Sequence, residues 1–255
     1  AITQSVLANP LASPGTIGVN SGAGVAAAIC CAVAPTAQAL VPIAAFIGAM
    51  AAAMLVLFIA ERTGAAKITL VLAGVAISNI LSAGVDAVVT FAPEALNAYS
   101  DFRIGSLENL TMQRLLYPAI VTALAMAAAL LMTNELDVLM LGADTAESLG
   151  MKAGRVRILL LAVAAALAGA AVSFAGLLGF VGLIAPHMMR RFTGDEARYL
   201  LPASALGGAA LLLICDTASR TLFAPYELPV GITLAFIGGP FFIWLLLRQR
   251  RGRTA

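Results

Sequence analysis

The chain has 255 residues, of which 61% are hydrophobic and only 11% are charged, and its formal net charge is +2. This composition is typical of one continuous membrane domain and excludes a series of soluble domains. The basic residues form no clustered surface patch, which excludes a nucleic-acid footprint.

The N-terminal residues 1–7 resemble the last turns of a helix that then enters a Pro- and Gly-rich break at residues 9–18. They carry neither the charged region nor the cleavage signature of a signal peptide. We therefore expect that further membrane spans precede this chain.

Eight apolar stretches follow, separated by short polar breaks. They cover residues 19–35, 40–60, 68–91, 117–132, 158–178, 180–192, 201–222 and 230–247. About 20 apolar residues of helix cross a bilayer core, so all but the short sixth stretch have nearly the length of a span. The predicted fold class is an all-α, polytopic membrane helical bundle.

The basic residues fall almost wholly on alternate breaks. Of the 15 Lys and Arg, all but Arg103, Arg114 and Arg220 lie on one side of the predicted membrane. Because short loops rich in Lys and Arg stay in the cytoplasm, that side is predicted to be cytoplasmic. The C-terminus, which carries four of these arginines, is then inside.

The longest cytoplasmic break, residues 134–157, is predicted to contain a helix of about two turns bracketed by Gly142 and Gly150. Its apolar residues recur at near-helical spacing: Leu139, Leu141, Ala146 and Leu149. Such a segment lies on lipid or docks in a partner. Its acidic residues argue against anionic lipid, which favours basic polar faces, so a protein partner is favoured.

Residues 176–187 are too few for two spans and a loop, so the chain is predicted to turn sharply on the outer side and return as a shortened helix. Irregular backbone at membrane depth is tolerated only where protein or water satisfies it. Pro186 lies near the middle of this helix, and His187 and Arg190 follow it towards the inner surface.

Ionisable residues inside spans are costly and raise a functional hypothesis. Asp216 and Arg220 are four residues apart and can pair on one helix face. A structural pair and a role for Arg220 at the outer rim both remain open. Asp86 is interpreted as a wetted residue of the outer rim rather than as an ion site.

The three cysteines, Cys30, Cys31 and Cys215, all lie within predicted spans and are interpreted as packing residues. The single histidine, His187, has no cysteine or carboxylate near it at ligand spacing, so no metal site is predicted. No cofactor is expected.

Four sequence segments in chain order resemble the permease subunits of ABC importers for ferric siderophores, haem and cobalamin. They are residues 9–23 (NPLASPG with Gly18 and SGA), residues 141–150, residues 179–187 (GFVGLIAPH) with Arg190, and residues 227–242 (ELPVG to GPFF). The resemblance covers essentially the whole chain. It implies a ten-helix fold of which this chain lacks the first helix and most of the second, so that residues 1–255 form one permease domain.

The resemblance also implies partners and a location. Such a permease pairs with an identical or related copy in a bacterial inner membrane, where lipid surrounds it. It works with two cytoplasmic ATP-binding cassette ATPase subunits and a periplasmic or lipid-anchored substrate-binding protein, and binds no nucleic acid. The permease itself catalyses no covalent chemistry, and residues 134–157, here called the coupling segment, follow the movement of the ATPase.

The resemblance assigns roles to individual residues. The ATPase-coupling residues are Leu141, Gly142, Ala143, Ala146, Leu149 and Gly150, and the cytoplasmic gate residues are Asn9, Leu11, Lys67 and Ile68. Arg220 matches an arginine that docks the binding protein, and a structural motif comprises Gly182, Pro186, His187 and Arg190. Lys67 and Ile68 replace the small hydroxyl residues expected in the cobalamin branch, which argues against cobalamin and favours an iron–siderophore cargo.

Three alternatives remain beside this interpretation. Broken helices also occur in ATP-independent secondary transporters. An intramembrane protease would need a pair such as Asp86 and Asp216, but the Gly-flanked aspartate motif is absent. His187 could ligate haem, yet the Pro-His pair fits the family pattern whatever the cargo, which favours a hydrogen-bonded structural histidine. The chain has no Walker phosphate loop, so nucleotide must act through another polypeptide.

Overall fold

The computed structural model describes residues 1–63, 67–108, 110–222 and 225–251. In chain order the helices are α1 Ile2–Leu7, α2 Val19–Val33, α3 Val41–Arg62, α4 Lys67–Phe91, α5 Ala95–Ile104, α6 Met112–Leu131, α7 Thr133–Met140, α8 Ala143–Ser148, α9 Ala153–Ala175, α10 Val181–Thr193, α11 Ala197–Thr221 and α12 Val230–Arg251. Short 3-10 turns at Pro14–Ile17 and Gln38–Leu40 precede α2 and α3. The described residues contain no β-strand, which confirms the all-α fold class.

Each of the eight predicted spans contains a helix: α2, α3, α4, α6, α9, α10, α11 and α12. Within the described ranges, five segments are long and apolar enough to cross a membrane: Gln38–Arg62, Ile68–Phe91, Arg114–Leu131, Ala153–Ala175 and Ala197–Thr221. Two shorter apolar helices lie at Val19–Val33 and Val230–Leu245. The return helix α10 has 13 residues, as short as the sequence predicts.

The main core is built where α2, α3 and α9 approach one another closely. A Cβ added to Gly22 would overlap the carbonyl of Gly48, and one added to Gly48 would overlap the carbonyl of Gly22. A Cβ on Gly169 of α9 would lie 3.3 Å from the Ala49 Cβ. In a membrane, where lipid tails are as apolar as leucine, such backbone approach at small residues supplies the packing energy.

A second, smaller core joins α11 to α12 through buried Cys215, Val230 and Leu234. The beginning of α11 does not belong to it, because Ala197 and Leu201 are buried in the main core. The helix α11 therefore spans both cores.

Two helices were not predicted from the sequence. The helix α5 lies in the predicted outer break after α4 and buries Ala95 and Tyr99 against the bundle. In the coupling segment a single helix was expected between the glycines, but α7 precedes it, because Gly142 at φ 114° separates the segment into two helices.

Candidate coupling and gating site

The coupling segment presents two leucines to the surface. Leu141 and Leu149 flank α8 and are each 66% exposed, whereas Ala146 between them is fully buried. Asp144 and Glu147 are exposed on the same short helix. The two exposed leucines, Leu141 and Leu149, are here called the coupling surface, and acidic side chains lie beside them. The buried Ala146 packs α8 against the bundle.

Glycine geometry shapes the coupling segment at both ends of α8. Gly142 has φ 114° and Gly150 has φ 82°. No neighbouring atom lies closer than 4.0 Å to a Cβ added to either glycine. The Gly150 N–H donates to the Glu147 carbonyl and the Met151 N–H to the Ala146 carbonyl, an arrangement that ends helices with a left-handed glycine. Both glycines are required by backbone conformation rather than by close packing.

The preceding helix α7 anchors the coupling segment to the bundle. Leu136 and Leu139 are buried in the main core. On another face, the Asp137 Oδ1 accepts a hydrogen bond of 2.9 Å from the Ala197 N–H, at the beginning of α11. This contact could not be predicted from the sequence, because its two partners are 60 residues apart.

The first half of the predicted gate is a compact turn. The Asn9 side-chain carbonyl accepts a 2.9 Å hydrogen bond from the Leu11 N–H, and both residues retain solvent-accessible surface. The 3-10 turn that follows lies against α4 so closely that a Cβ on Gly74 would overlap the Thr16 carbonyl.

The second half of the gate begins α4, less than two turns before Gly74. Ile68 is exposed there, and the side chain of Lys67 lies outside the described residues. The turn Pro14–Ile17, which follows Asn9 and Leu11 in the chain, therefore packs on the helix that begins with the other predicted gate residues.

The structural motif in α10 makes three kinds of contact. Pro186 is buried, and the His187 ring meets the Phe241 ring of α12 edge-on, with centroids 5.8 Å apart. Gly182 is exposed at the outer end of the helix, near Pro14. The Arg190 Nη1 donates a 2.6 Å hydrogen bond to the Gln4 side-chain carbonyl, which joins α10 to α1.

Arg190 has a second partner of a different character. Its Nε lies 3.0 Å from the Asp195 carboxylate, which is 70% exposed. Gln4, by contrast, is 2% exposed. The arginine therefore has one buried and one solvated partner. The sequence indicated Arg190 only as part of a motif, and the buried contact shows that it also holds α10 against α1.

At the C-terminal end of α11 the predicted pair forms. The Arg220 Nε and Nη2 donate hydrogen bonds of 2.9 and 3.4 Å to the two carboxylate oxygens of Asp216. Both side chains are partly exposed. This confirms the pairing that the i, i+4 spacing predicts and leaves the guanidinium accessible at the rim.

Two backbone hydrogen bonds at the end of α5, here called the outer clasp, were not predicted from the sequence. The Leu177 N–H donates to the Phe102 carbonyl at 3.0 Å, and the Gly231 N–H donates to the Gly105 carbonyl at 3.1 Å. A Cβ on Gly231 would overlap the carbonyl of Ile104, so this glycine is required by close approach. The end of α5 thus holds the α9–α10 turn and the beginning of α12 together.

The helix α5 also packs inward through its single tyrosine. Tyr99 is buried, and burial raises the pKa of its phenol, which therefore stays protonated at neutral pH. Its hydroxyl would lie 3.3 Å from a Cβ placed on Gly24 of α2. The outer break is consequently part of the packed bundle rather than a free loop.

The described residues contain no group of three His, Cys, Asp or Glu side chains that could hold a metal ion. All three cysteines are free, and Cys31 and Cys215 are buried. The described residues form a helical bundle in which α11 begins beside α7 of the coupling segment and ends at the pair of Asp216 with Arg220. Five of its segments are long and apolar enough to cross a membrane, which is typical of a multi-pass membrane protein.

The particular family follows from comparison with known proteins. Residues 1–248 match the FecCD transport family, and the chain belongs to it. It is 41% identical over 254 residues to the Fe(3+)-citrate import system permease protein YfmE of Bacillus subtilis, covering 98% of this chain and 76% of that protein. It is 38% identical over 260 residues to the hemin transport system permease protein HmuU of Yersinia pestis, covering 99% and 78%.

A solved structure supports the same conclusion. The fold superimposes with a TM-score of 0.88 and 27% identity on "An inward-facing conformation of a putative metal-chelate type ABC transporter", covering 96% of this chain and 80% of that one. The resemblance identified from the sequence motifs is thereby confirmed: the chain is a permease subunit of the ABC importer class, which is a transport class and not an enzyme class.

Proposed function

We propose that this permease carries an iron–siderophore complex inward and that a separate ATPase drives it. A relative named for ferric citrate import at 41% identity supports an iron chelate as the cargo. Haem is the second candidate, because a relative at 38% identity is named for hemin transport. Cobalamin is a third candidate cargo, and Lys67 and Ile68 argue against it. The alternative mechanism is that of an ATP-independent secondary transporter.

The coupling surface carries the proposal. Two leucines that flank a short cytoplasmic helix and are each 66% exposed would be unfavourable in water, and an ATPase cleft would cover them. Gly142, Ala143 and Gly150 set the path of the backbone beside them, and Ala146 transmits force to the main core. The coupling segment, residues 134–157, is then the part of the single permease domain, residues 1–255, that the ATPase moves.

The remaining site residues serve the two ends of the pathway. Asn9 and Leu11 on one segment, with Lys67 and Ile68 at the beginning of α4, form the cytoplasmic gate. Arg220 receives an acidic side chain of the substrate-binding protein at the outer rim, where partly solvated charge pairs mainly set docking and register.

The orientation that fits these roles places the coupling surface, the gate and the C-terminus in the cytoplasm of a bacterium, with the protein in its inner membrane. A second permease, identical or related, completes the pathway. Lipid covers the remaining apolar helix faces.

The test is retention of the ATPase. The permease is co-expressed with the ATPase of its operon and purified by a tag on the permease. We expect Leu149→Glu, which places a charge on the coupling surface, to lose the ATPase. The control Thr63→Glu adds the same charge at the exposed end of α3 and should retain it. Equal retention by both variants would refute the proposal, as would cargo accumulation that does not need an ATPase.

A further inference from the structure

The helix α11 runs from the inner side of the molecule to the outer rim. Its 25 residues span about 38 Å at the usual rise of an α-helix. Pro202, in the second turn, removes one backbone hydrogen bond without ending the helix. The inner end lies in the main core with Ala197, and the outer end carries Arg220.

The inner end of α11 is capped by another helix. The first N–H groups of a helix have no partner within it and are usually satisfied by the side chain at the N-cap. Glu196 occupies that position and makes no such bond. The Asp137 carboxylate of α7 supplies it instead, at 2.9 Å from the Ala197 nitrogen, where the positive end of the helix dipole favours an anion.

Asp137 also lies close to the coupling surface along the chain. It precedes Leu141 by four residues, and α7 ends at Met140, immediately before that leucine. Because Leu136 and Leu139 hold α7 in the main core, the helix can move only as a packed unit. A displacement of the coupling surface is therefore transmitted through α7 to the first turn of α11.

We propose that Asp137 is a positioning residue that couples the ATPase-driven movement of the coupling segment to α11, and through that helix to the docking arginine at the outer rim. The inference rests on the proposed function. It predicts that the signal from a docked binding protein travels the same path in reverse, since coupling between two binding sites is reciprocal.

The test uses the full-length permease with its ATPase and binding protein in lipid vesicles. The measured quantity is the stimulation of ATP hydrolysis by the cargo-loaded binding protein. We expect Asp137→Ala to lower this stimulation roughly fivefold, the factor that corresponds to one hydrogen bond of ordinary strength. Retention of the ATPase should not change, because Asp137 contacts α11 and is not part of the coupling surface.

Two matched variants separate the hydrogen bond from charge. Asp137→Asn should restore stimulation, because asparagine accepts from a helix N–H about as well as aspartate does. Glu61→Ala removes one negative charge from an exposed position at the end of α3 and should behave like the wild type.

The donor can be removed independently. Ala197→Pro removes the N–H that donates to Asp137, and proline is well tolerated at the first position of a helix. Because Ala197 is buried, Ala197→Val, which keeps the N–H, is the control for added bulk and should retain stimulation. The preceding Glu196 has ψ 120°, which suits a residue before proline. Ala197→Pro should lower stimulation to the same extent, and should add nothing to Asp137→Ala, because both act on one interaction.

Full stimulation in either Asp137→Ala or Ala197→Pro overturns the inference, and so does failure of Asp137→Asn to restore it. If Asp137→Ala does not assemble, Ala197→Pro decides: retained stimulation overturns the inference and reduced stimulation supports it. Failure of the wild-type permease to retain an ATPase at all would instead refute the proposed function.

Discussion

The helices α2, α3 and α9 differ from the group α10–α12 in the way they are held together. The first three meet through glycine and alanine backbones, with no space for an added methyl group between Gly22 and Gly48. The second group has a small core of its own around Cys215 and joins the rest through the buried first turns of α11 and a few individual hydrogen bonds. Such bonds are few and directional, whereas close packing is continuous.

This difference indicates which part of the molecule resists movement. A close-packed interface transmits strain as a body, because interiors are dense and little compressible. A helix group attached at a few polar points can change its angle when those points move. The attachments of α10–α12, at Gln4, Asp137 and the outer clasp, are therefore where the two parts exchange force.

The largest expected effect is on the close-packed interface. Gly48→Ala should lower the free energy of unfolding by about 3 kcal/mol, because the added Cβ overlaps the carbonyl of Gly22 and forces α2 and α3 apart. Thermal unfolding in detergent would measure it.

Gly154→Ala is the control for that change. Gly154 lies in the first turn of α9 with no neighbouring atom within 4 Å of an added Cβ. Its replacement should leave stability unchanged or raise it by up to about 1 kcal/mol. Equal destabilisation by both substitutions would show that close approach of α2 and α3 does not govern stability.

A smaller effect is expected at the attachment between α10 and α1. Arg190→Met leaves the buried Gln4 carbonyl without its donor and should cost about 2 kcal/mol, the range for a hydrogen bond to a charged group. Asp195→Ala removes only the solvated partner and should cost less than about 0.5 kcal/mol. The same melting measurement compares them, and a larger loss for Asp195→Ala would reverse the assignment of the buried contact.

The smallest effect on stability is expected at the outer rim. Asp216→Ala removes the partner of Arg220 from a partly exposed pair and should change stability by less than about 0.5 kcal/mol. Arg220→Ala should leave stability equally unaffected but weaken association with the binding protein in a salt-dependent way. Surface plasmon resonance at two salt concentrations would detect this, and an unchanged association rate would exclude a docking role.

The helices that cross the membrane could be predicted because each carries its own signal. Apolar length predicted the stretches that contain the five long apolar helices and the two shorter ones, and the Gly- and Pro-containing motif at residues 179–187 predicted the sharp turn into α10. The i, i+4 spacing was enough to predict the pair of Asp216 with Arg220, since both residues lie on one helix.

What the sequence could not show depends on contacts between distant segments. The bond from Ala197 to Asp137 and the bond from Arg190 to Gln4 join residues 60 and 186 positions apart. The helix α5 was not predicted, although Ala95, Tyr99 and Phe102 recur at helical spacing; only the structure shows that this face packs on the main core. Ala146 is one of the predicted coupling residues, but only the structure shows that it is buried while Leu141 and Leu149 are exposed.

The most direct test is cargo uptake by vesicles that contain the full-length permease, its ATPase and its binding protein. We predict that a ferric siderophore accumulates only when ATP is hydrolysed, and that uptake stops when the ATPase is replaced by a variant that binds ATP without cleaving it. If the siderophore accumulated as fast with that variant, or with the permease alone, the claim that an ATPase drives transport through the coupling segment would be wrong.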